Sequence, residues 1–508
     1  MRRVRLREAQ PRVGRRQVPT HGPAAWTTIV LLAACAPAGP NYQAPASLAS
    51  GQRVGLARAS DSSRAFFDSL AAARLHDSVP VVPAPGTHQL PPLDSSTDLS
   101  WLDILGDTTL IRLERTAISQ NRDVEIAAAR IREYRADLGI AQSSQGPTVT
   151  ANGAVSTNRV ALGTFVSRYN ALSPAVSASW EIDVWGRIRR GIEAANEDLG
   201  AEEAAQRATA LSLVSDVATG YLQLLELDQE HAIAERTLSS REATLALARQ
   251  RFAQGLTSEL DVRQFEAEVA TPAVALAESE RASAEQEHLL SYLLGGIPGR
   301  IPRGGALASA ARALVVPDSI SSSVLVHRPD VQEAERAYAA ATARVGIAEA
   351  SRLPTVMITG NVGVQATTPS ALFNAASGIY QLQAGISVPL FSNDRLADAS
   401  AAARARMEQA RVQYEQVTLA ALRDANDALV AVRAARDVEV AQASQAQALR
   451  QALDLAQLRY QAGLATYLDV LDADRALFGA DLALSQAQLG QLTAGIGLYK
   501  ALGGSWSP

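Results

Sequence analysis

VEIAAARIREYRADLGIAQSSQGPTVTANGAV, residues 124–155, returns as VQEAERAYAAATARVGIAEASRLPTVMITGNV, residues 331–362. Val124 meets Val331, Gly139-Ile140-Ala141 meets Gly346-Ile347-Ala348, and Pro147-Thr148-Val149 meets Pro354-Thr355-Val356. A second pair follows at nearly the same offset: RFAQGLTSELDV from Arg251 matches RYQAGLATYLDV from Arg459. Leu294-Gly295-Gly296 recurs as Leu502-Gly503-Gly504 and closes the unit. The repeat is about 208 residues long, far above the period of a solenoid module, so each copy is a large fold-half. A duplicated chain points to a pseudo-symmetric object, with a ring or tube as the first possibility.

Working outward, each copy has the same texture. Helical pattern begins near Trp101 and restarts at Asn121-Arg122-Asp123. Between Gly146 and Trp185 it gives way to short-period segments, Thr148–Val155 and Ala175–Trp185, the second alternating clearly. A loop through Phe165, Tyr169 and Asn170 is expected to join them into a β-hairpin. Its counterpart is Val356–Val364, a loop through Phe373, and Tyr380–Phe391. Arg187 to Gln254 then lacks proline, which predicts roughly 100 Å of helix, and Arg395 to Ala462 repeats it. Gly255 and Gly463 stop these helices. Ser258 and Thr466 offer N-caps to the returning ones, with Asp261 and Asp469 in the capping-box position. Pro272 is placed to bend the first return helix.

The expected fold class is mainly α with membrane β. Two strands per half give four per chain, and the smallest membrane barrel needs eight, so copies must combine. Scarce aromatics, 5% of residues, fit long close-packed helices around a hollow better than a thick globular core.

The N-terminus reads as an export signal. An Arg-rich start precedes a short apolar run, Ala24–Leu32, too short to span a bilayer. It ends in Leu32-Ala33-Ala34-Cys35, like a bacterial lipoprotein box. Cys35 is the only cysteine and the expected site of lipidation. Ala36 in place of Asp points to sorting to the outer membrane. The expected division is 1–34 signal peptide, 35–100 lipidated extended segment, 101–300 first repeat, 301–319 linker and 320–508 second repeat.

A net charge of −5 gives no reason to expect a polyanionic partner, so nucleic acid is not expected. None of the six histidines has a second at metal spacing, and no P-loop or Gly-x-Ser-x-Gly elbow occurs. Neither an enzyme, a metal nor a cofactor is expected. Leu294–Gly299 is glycine-rich but follows a helix, which makes it a linker.

The chain resembles the TolC-like outer-membrane efflux factors, most closely their lipoprotein (NodT-type) branch. The resemblance is carried by Cys35 with Gly39-Pro40-Asn41-Tyr42, by Asn121–Val124, and by Ser179–Arg189. It continues through the turns Gly255-Leu256 and Gly463-Leu464, the restart Arg328–Val331, and the ending Leu498–Trp506. It departs from the family in a longer lead-in, 46–97, and in having Leu102 after Trp101. The resemblance implies a homotrimer with a 12-stranded outer-membrane barrel, lipid-anchored and continued by a periplasmic α-barrel. It also implies docking through a periplasmic adaptor to a proton-driven inner-membrane pump. A duct for type I protein secretion, or a lipid-anchored periplasmic coiled-coil scaffold, are the alternatives. The duplicated hairpins weigh against a scaffold.

The same resemblance implies roles for particular residues. Asp469 and Asp472 fall where the family places acidic rings at the periplasmic entrance. Both also lie at the start of a long helix, where first-turn carboxylates cap free N–H groups and complement the macrodipole. Asp469 suits the cap and Asp472 the lumen. Asp261 and Tyr460 match positions that tie helix pairs together in the closed family channels. The Arg that often completes that link is Ala465 here. Gly255-Leu256-Thr257 and Gly463-Leu464-Ala465 are adaptor-contact tips, and equally helix stops. Trp180 and Trp185 fit either an interfacial aromatic belt or packing at a strand–helix junction.

Overall fold

The computed structural model describes residues 37–43, 53–55, 107–163, 165–307, 319–462 and 464–504. Cys35, the export signal, Trp101 and Gly463 lie outside them. The elements run β1 (Arg53–Gly55), α1 (Thr108–Gln120), α2 (Arg122–Ser143), β2 (Thr148–Leu162), β3 (Phe165–Ile182), α3 (Arg187–Ala253) and α4 (Glu259–Leu293). The second half runs β4 (Ser319–Ser321), α5 (Pro329–Ala350), β5 (Thr355–Val364), β6 (Gly378–Ser387), α6 (Arg395–Gln461) and α7 (Tyr467–Ala501). The duplication survives in the lengths: α3 and α6 each have 67 residues, and α4 and α7 each have 35. Helix α4 runs through Pro272 without interruption.

One compact unit is built from 141–192 and 343–403 with the N-terminal stretch up to Asn41. Its centre is a four-stranded antiparallel sheet in the order β2-β3-β5-β6. Register and the two-residue pleat sort the side chains onto two faces. Val149, Ala151, Gly153 and Val155 share a face with Leu172, Pro174, Val176, Ala178, Trp180 and Ile182. Val356, Ile358, Val362 and Val364 continue it across β5, and Tyr380, Leu382, Ala384 and Ile386 across β6. The opposite face carries Thr148, Thr150, Asn152, Ser177, Ser179, Thr359, Asn361, Gln381 and Gln383. An apolar face that is largely exposed, with Val155 at 81%, Tyr380 at 88% and Leu382 at 78%, is the pattern of a barrel wall turned toward lipid. Strands β2 and β6 end the sheet with unpaired edges.

The first hairpin is longer than the sequence reading expects. Phe165, Tyr169 and Asn170 belong to β3, and the two strands stay paired as far as Leu162 and Phe165. The pairs Asn158–Tyr169 and Thr157–Asn170 extend the ladder with polar side chains on both faces, so apolar alternation is lost while pairing continues. In the second hairpin the strand ends at Ser387, short of the expected Phe391.

The strand-to-helix corner explains Glu181-Ile-Asp-Val-Trp-Gly-Arg187. Asp183 accepts from the free N–H groups of Ile188 (3.1 Å) and Arg189 (2.9 Å) at the start of α3. Glu181 is gripped by both arms of Arg187, at 2.9 and 2.6 Å. The N-terminal stretch is held to the same unit. Ala38 donates to the Trp185 carbonyl at 2.8 Å, and Arg190 donates to Asn41 Oδ1. Gly39 approaches so closely that a Cβ there would lie 2.5 Å from Gly346 Cα.

The second unit is helical apart from a short antiparallel pair, β1 with β4. Its main core gathers Leu110, Leu113 and Ala117 of α1, Leu213–Leu225 positions of α3, Leu290 of α4, and Leu492, Ile496 and Tyr499 of α7. Tyr221 sits in it fully buried; its hydroxyl donates to Asp107, the α1 N-cap, at 2.8 Å and accepts from Gly304 N. Glu114 is fully buried, and desolvation pushes its carboxyl up to about 9, so it is neutral at pH 7. Elsewhere the long helices bury only narrow stripes, such as Leu245, Ala248, Val262 and Phe265.

Candidate functional site: the helix turns and the membrane wall

Helices α3 and α4 meet at Gly255, whose φ of +73° supplies the left-handed stop. Leu256 N donates back to the Arg251 carbonyl at 2.9 Å, and Leu464 N does the same to Arg459 at 2.8 Å. Leu256 and Leu464 are each 72% exposed. The two turns thus present a leucine apiece, with Thr257 and Ala465 following.

Asp261 closes the start of α4. Its Oδ2 accepts from Thr257 Oγ1 (2.7 Å), Ser258 N (3.0 Å) and Ser258 Oγ (2.8 Å), and its own N–H donates to Ser258 Oγ. Asp469 does the equivalent for α7 with fewer partners, Thr466 N and Oγ1, both at 2.8 Å. These bonds hold both carboxyls below the usual carboxylate range: Thr257 and then Ser258 lower Asp261, and Thr466 lowers Asp469. Asp472 is different. Its side chain is 65% exposed, and Arg475 lies 3.5 Å away on the next turn.

Tyr460 and Asp261 are not brought together within the chain. Asp261 is occupied by its own cap. The Tyr460 hydroxyl instead accepts from Arg251 Nη1. The Arg251 guanidinium also lies over the Tyr460 ring, 5.6 Å from its centre. Tyr460 stands edge-on to Tyr467 at 5.4 Å, and Tyr467 leans on Phe265 at 4.1 Å. This chain of rings joins α6, α7 and α4, and Arg251 ties it to α3.

A charged cluster that sequence reading misses lies further along the same helices. Arg241 of α3 is 5% exposed. It donates to Asp474 Oδ2 of α7 at 2.8 Å, and to the carboxylate (3.1 Å) and carbonyl (3.0 Å) of Glu268 on α4. Arg475 of α7 completes it by pairing with Glu268. Arg475, the principal cause, and Arg241 hold the Glu268 carboxyl low against burial. Arg241 and Glu268 are 27 positions apart on different helices, and the links to Asp474 and Arg475 span more than 200, so no local period signals them. The only hint was Asp474-Arg475, just beyond the Leu-Asp-Val-Leu-Asp motif.

Trp180 sits on the apolar sheet face, 39% exposed, and donates from Nε1 to the Gln145 carbonyl. Trp185 is packed at the corner and donates to the Pro354 carbonyl at 2.7 Å. The belt therefore suits Trp180, and packing suits Trp185.

Comparison with known proteins agrees with this geometry. The family described as outer membrane efflux protein matches residues 113–296 and 320–504. The probable efflux pump outer membrane protein TtgC of Pseudomonas putida (strain KT2440) is 31% identical over 418 residues, covering 81% of this chain and 86% of the relative. The solvent efflux pump outer membrane protein SrpC of Pseudomonas putida is 34% identical over 416 residues, covering 79% and 86%. Among solved structures, one of CusC, reported for conformational changes accompanying folding and transmembrane channel formation, superposes with a TM-score of 0.78 at 27% identity. It covers 92% of this chain and 99% of that one.

Proposed function

Since the chain belongs to the outer membrane efflux protein family, we propose a specific working for it: three copies close one wall of twelve strands, and their helices form the exit duct beneath it. The chain is an outer-membrane component of efflux systems. The observation that carries the finer reading is the four-stranded sheet, with one continuous apolar face and free edges at β2 and β6. Four strands cannot close a barrel in lipid, where an open edge leaves N–H and C=O groups unsatisfied. Pairing β2 of one copy with β6 of the next removes every edge.

The helix turns are the adaptor-facing end. Leu256 and Leu464 are the exposed apolar contacts, and Gly255, Thr257 and Ala465 flank them; Gly463 lies outside the described residues. A periplasmic adaptor and an inner-membrane pump complete the system. Asp472, exposed and only lightly paired, is the candidate for an acidic ring in the lumen, whereas Asp261 and Asp469 serve the caps. Tyr460 belongs to the closing contacts through Arg251. Cys35 is the lipid attachment, three residues before the stretch Ala38–Asn41 clasped by Trp185 and Arg190. A secretion duct would share this architecture, and the efflux names of the relatives favour small solutes. The apolar sheet face gives a scaffold reading no support.

Planar-bilayer recording tests the reading. The purified protein should insert and give discrete conductance steps, with a detergent-solubilised mass of three copies. A folded single copy with no conductance would overturn it.

A further inference from the structure

Apart from Glu181 at the helix end of β3, residues 144–182 and 353–393, which form both hairpins, contain no acidic residue and only two other charges, Arg159 and Arg168. These two are direct cross-strand partners. Opposed residues on an antiparallel pair have their Cβ atoms about 5 Å apart, and like charges placed so are destabilising. Both side chains are exposed, and neither forms an ion pair with any described residue. Nothing within the described chain offsets their repulsion.

The pleat tells which way they face. Arg159 shares its face with Val149, Ala151, Gly153 and Val155, and Arg168 shares the same face with Leu172, Val176 and Trp180. This is the apolar side, turned to lipid and not to the lumen. The register also tells the depth. From Ile182 to Leu172 the apolar rows span roughly 33 Å of strand. At the usual tilt that becomes about 24 Å, matching the apolar band of a membrane barrel. The next row outward is Thr157–Asn170, polar, with Thr157 Oγ1 donating to Asn170 Oδ1 at 3.0 Å. The row after that is Arg159–Arg168, about 9 Å above the end of the band when the same rise and tilt are applied. All four strands join helices at the end opposite the Leu162–Phe165 pair, so the arginine pair lies on the far, outer side of the membrane.

We propose that Arg159 and Arg168 together form a binding site for the phosphate of an outer-leaflet glycolipid, gripping it between two guanidinium groups at headgroup depth. Each guanidinium presents a planar fork that suits phosphate oxygens, and two opposed forks match a dianionic group that a single Arg would not neutralise. Bound phosphate converts the cross-strand repulsion into a bridge. The lipid is favoured over free phosphate because the pair faces the hydrocarbon side, where an acyl-anchored phosphate is held at the right height. The inference rests on the sheet being the membrane wall.

The test is native mass spectrometry of the full-length assembly in detergent, titrated with bis-phosphorylated lipid A. A parallel titration uses the same lipid with its phosphates removed. The unmodified protein should bind the phosphorylated form at least tenfold more tightly. The double variant Arg159→Gln/Arg168→Gln should lose that preference. Arg168→Glu is the second variant: it replaces repulsion by an Arg–Glu pair, so it assembles at least as well and should lose the preference too. Inorganic phosphate at millimolar concentration should compete weakly. Retention of the preference by folded assemblies of either variant would overturn the site, as would equal binding of the dephosphorylated lipid. Competition by inorganic phosphate as strong as by the lipid would overturn the lipid assignment. Failure of the unmodified protein to assemble and insert would instead count against the membrane-wall reading.

Discussion

The turn joining α3 to α4 and the turn joining α6 to α7 descend from one sequence and have come to differ in where their side chains reach. At the first, bonding is local. Thr257, Ser258 and Asp261 satisfy one another, and Glu259, Arg263, Glu266 and Arg249 make exposed ion pairs beside them. At the second, Ala465 replaces Thr257, so the cap loses a hydroxyl, while the flanking residues reach into the other repeat. Tyr460, where the first repeat has Phe252, takes the Arg251 bond. Tyr467, where the first has Glu259, packs on Phe265. Asp474 and Arg475 pair with Arg241 and Glu268. Duplication kept the backbone stop and the cap, and divergence turned the second copy into the cross-link between halves.

The largest expected effect comes from cutting that cross-link. Arg241→Ala leaves Glu268 and Asp474 short of their buried partner. Removing one member of a buried pair typically costs about 3–5 kcal/mol. Thermal unfolding should show a marked fall in Tm, with Arg249→Ala, an exposed pair of the first turn, as a near-silent control. Equal effects at the two positions would erase the distinction between the turns. The same cluster gives a pH dependence. Glu268 is held low in the fold, so its contribution is complete above its unfolded pKa and is lost as pH falls through the folded value. Arg475→Gln should flatten that acid limb, measured as Tm against pH.

Removing the capping hydroxyls comes next. Ser258→Ala should cost about 1 kcal/mol. Thr466→Ala should cost less, because Ser258 both donates to Asp261 and accepts from its N–H. Paired urea titrations would compare them, and a larger loss at Thr466 would invert the assignment of the stronger cap. Tyr460→Phe restores the first repeat's residue and keeps the ring stack. It should cost about 0.5–1.5 kcal/mol, the usual worth of one hydrogen bond. Asp472→Asn should leave Tm unchanged and shift the reversal potential in a salt gradient toward lower cation preference. An unchanged potential from a folded assembly would remove Asp472 from the lumen.

The sequence made the large divisions legible because they follow from repetition and period. Equal partner segments foretold equal helices, and Ser258, Thr466 and the aspartates three positions on marked their starts. It failed where chemistry does not track period. Beyond Val155 the strand continues with polar residues on both faces, so Tyr169 and Asn170 looked like loop. Arg241 sits in a helix among many arginines, and only the fold shows that it is buried. The resemblance pairs Tyr460 with Asp261 and has Ala465 where an Arg is usual, whereas the Tyr460 hydroxyl meets Arg251 of the other repeat.

Joining of β2 and β6 between copies is the claim on which the duct depends, and disulfide trapping reads it directly. In one chain these strands are the two outer members of a four-stranded sheet, about 14 Å apart, beyond reach of a disulfide. Tyr380→Cys on β6 is combined in turn with Val149→Cys, Ala151→Cys, Gly153→Cys and Val155→Cys on β2, and membranes are oxidised. The predicted result is a covalent ladder ending at three copies for the register in which the edges meet, reversed by reductant. Membrane-inserted protein that stays a single covalent chain in every combination would contradict the account.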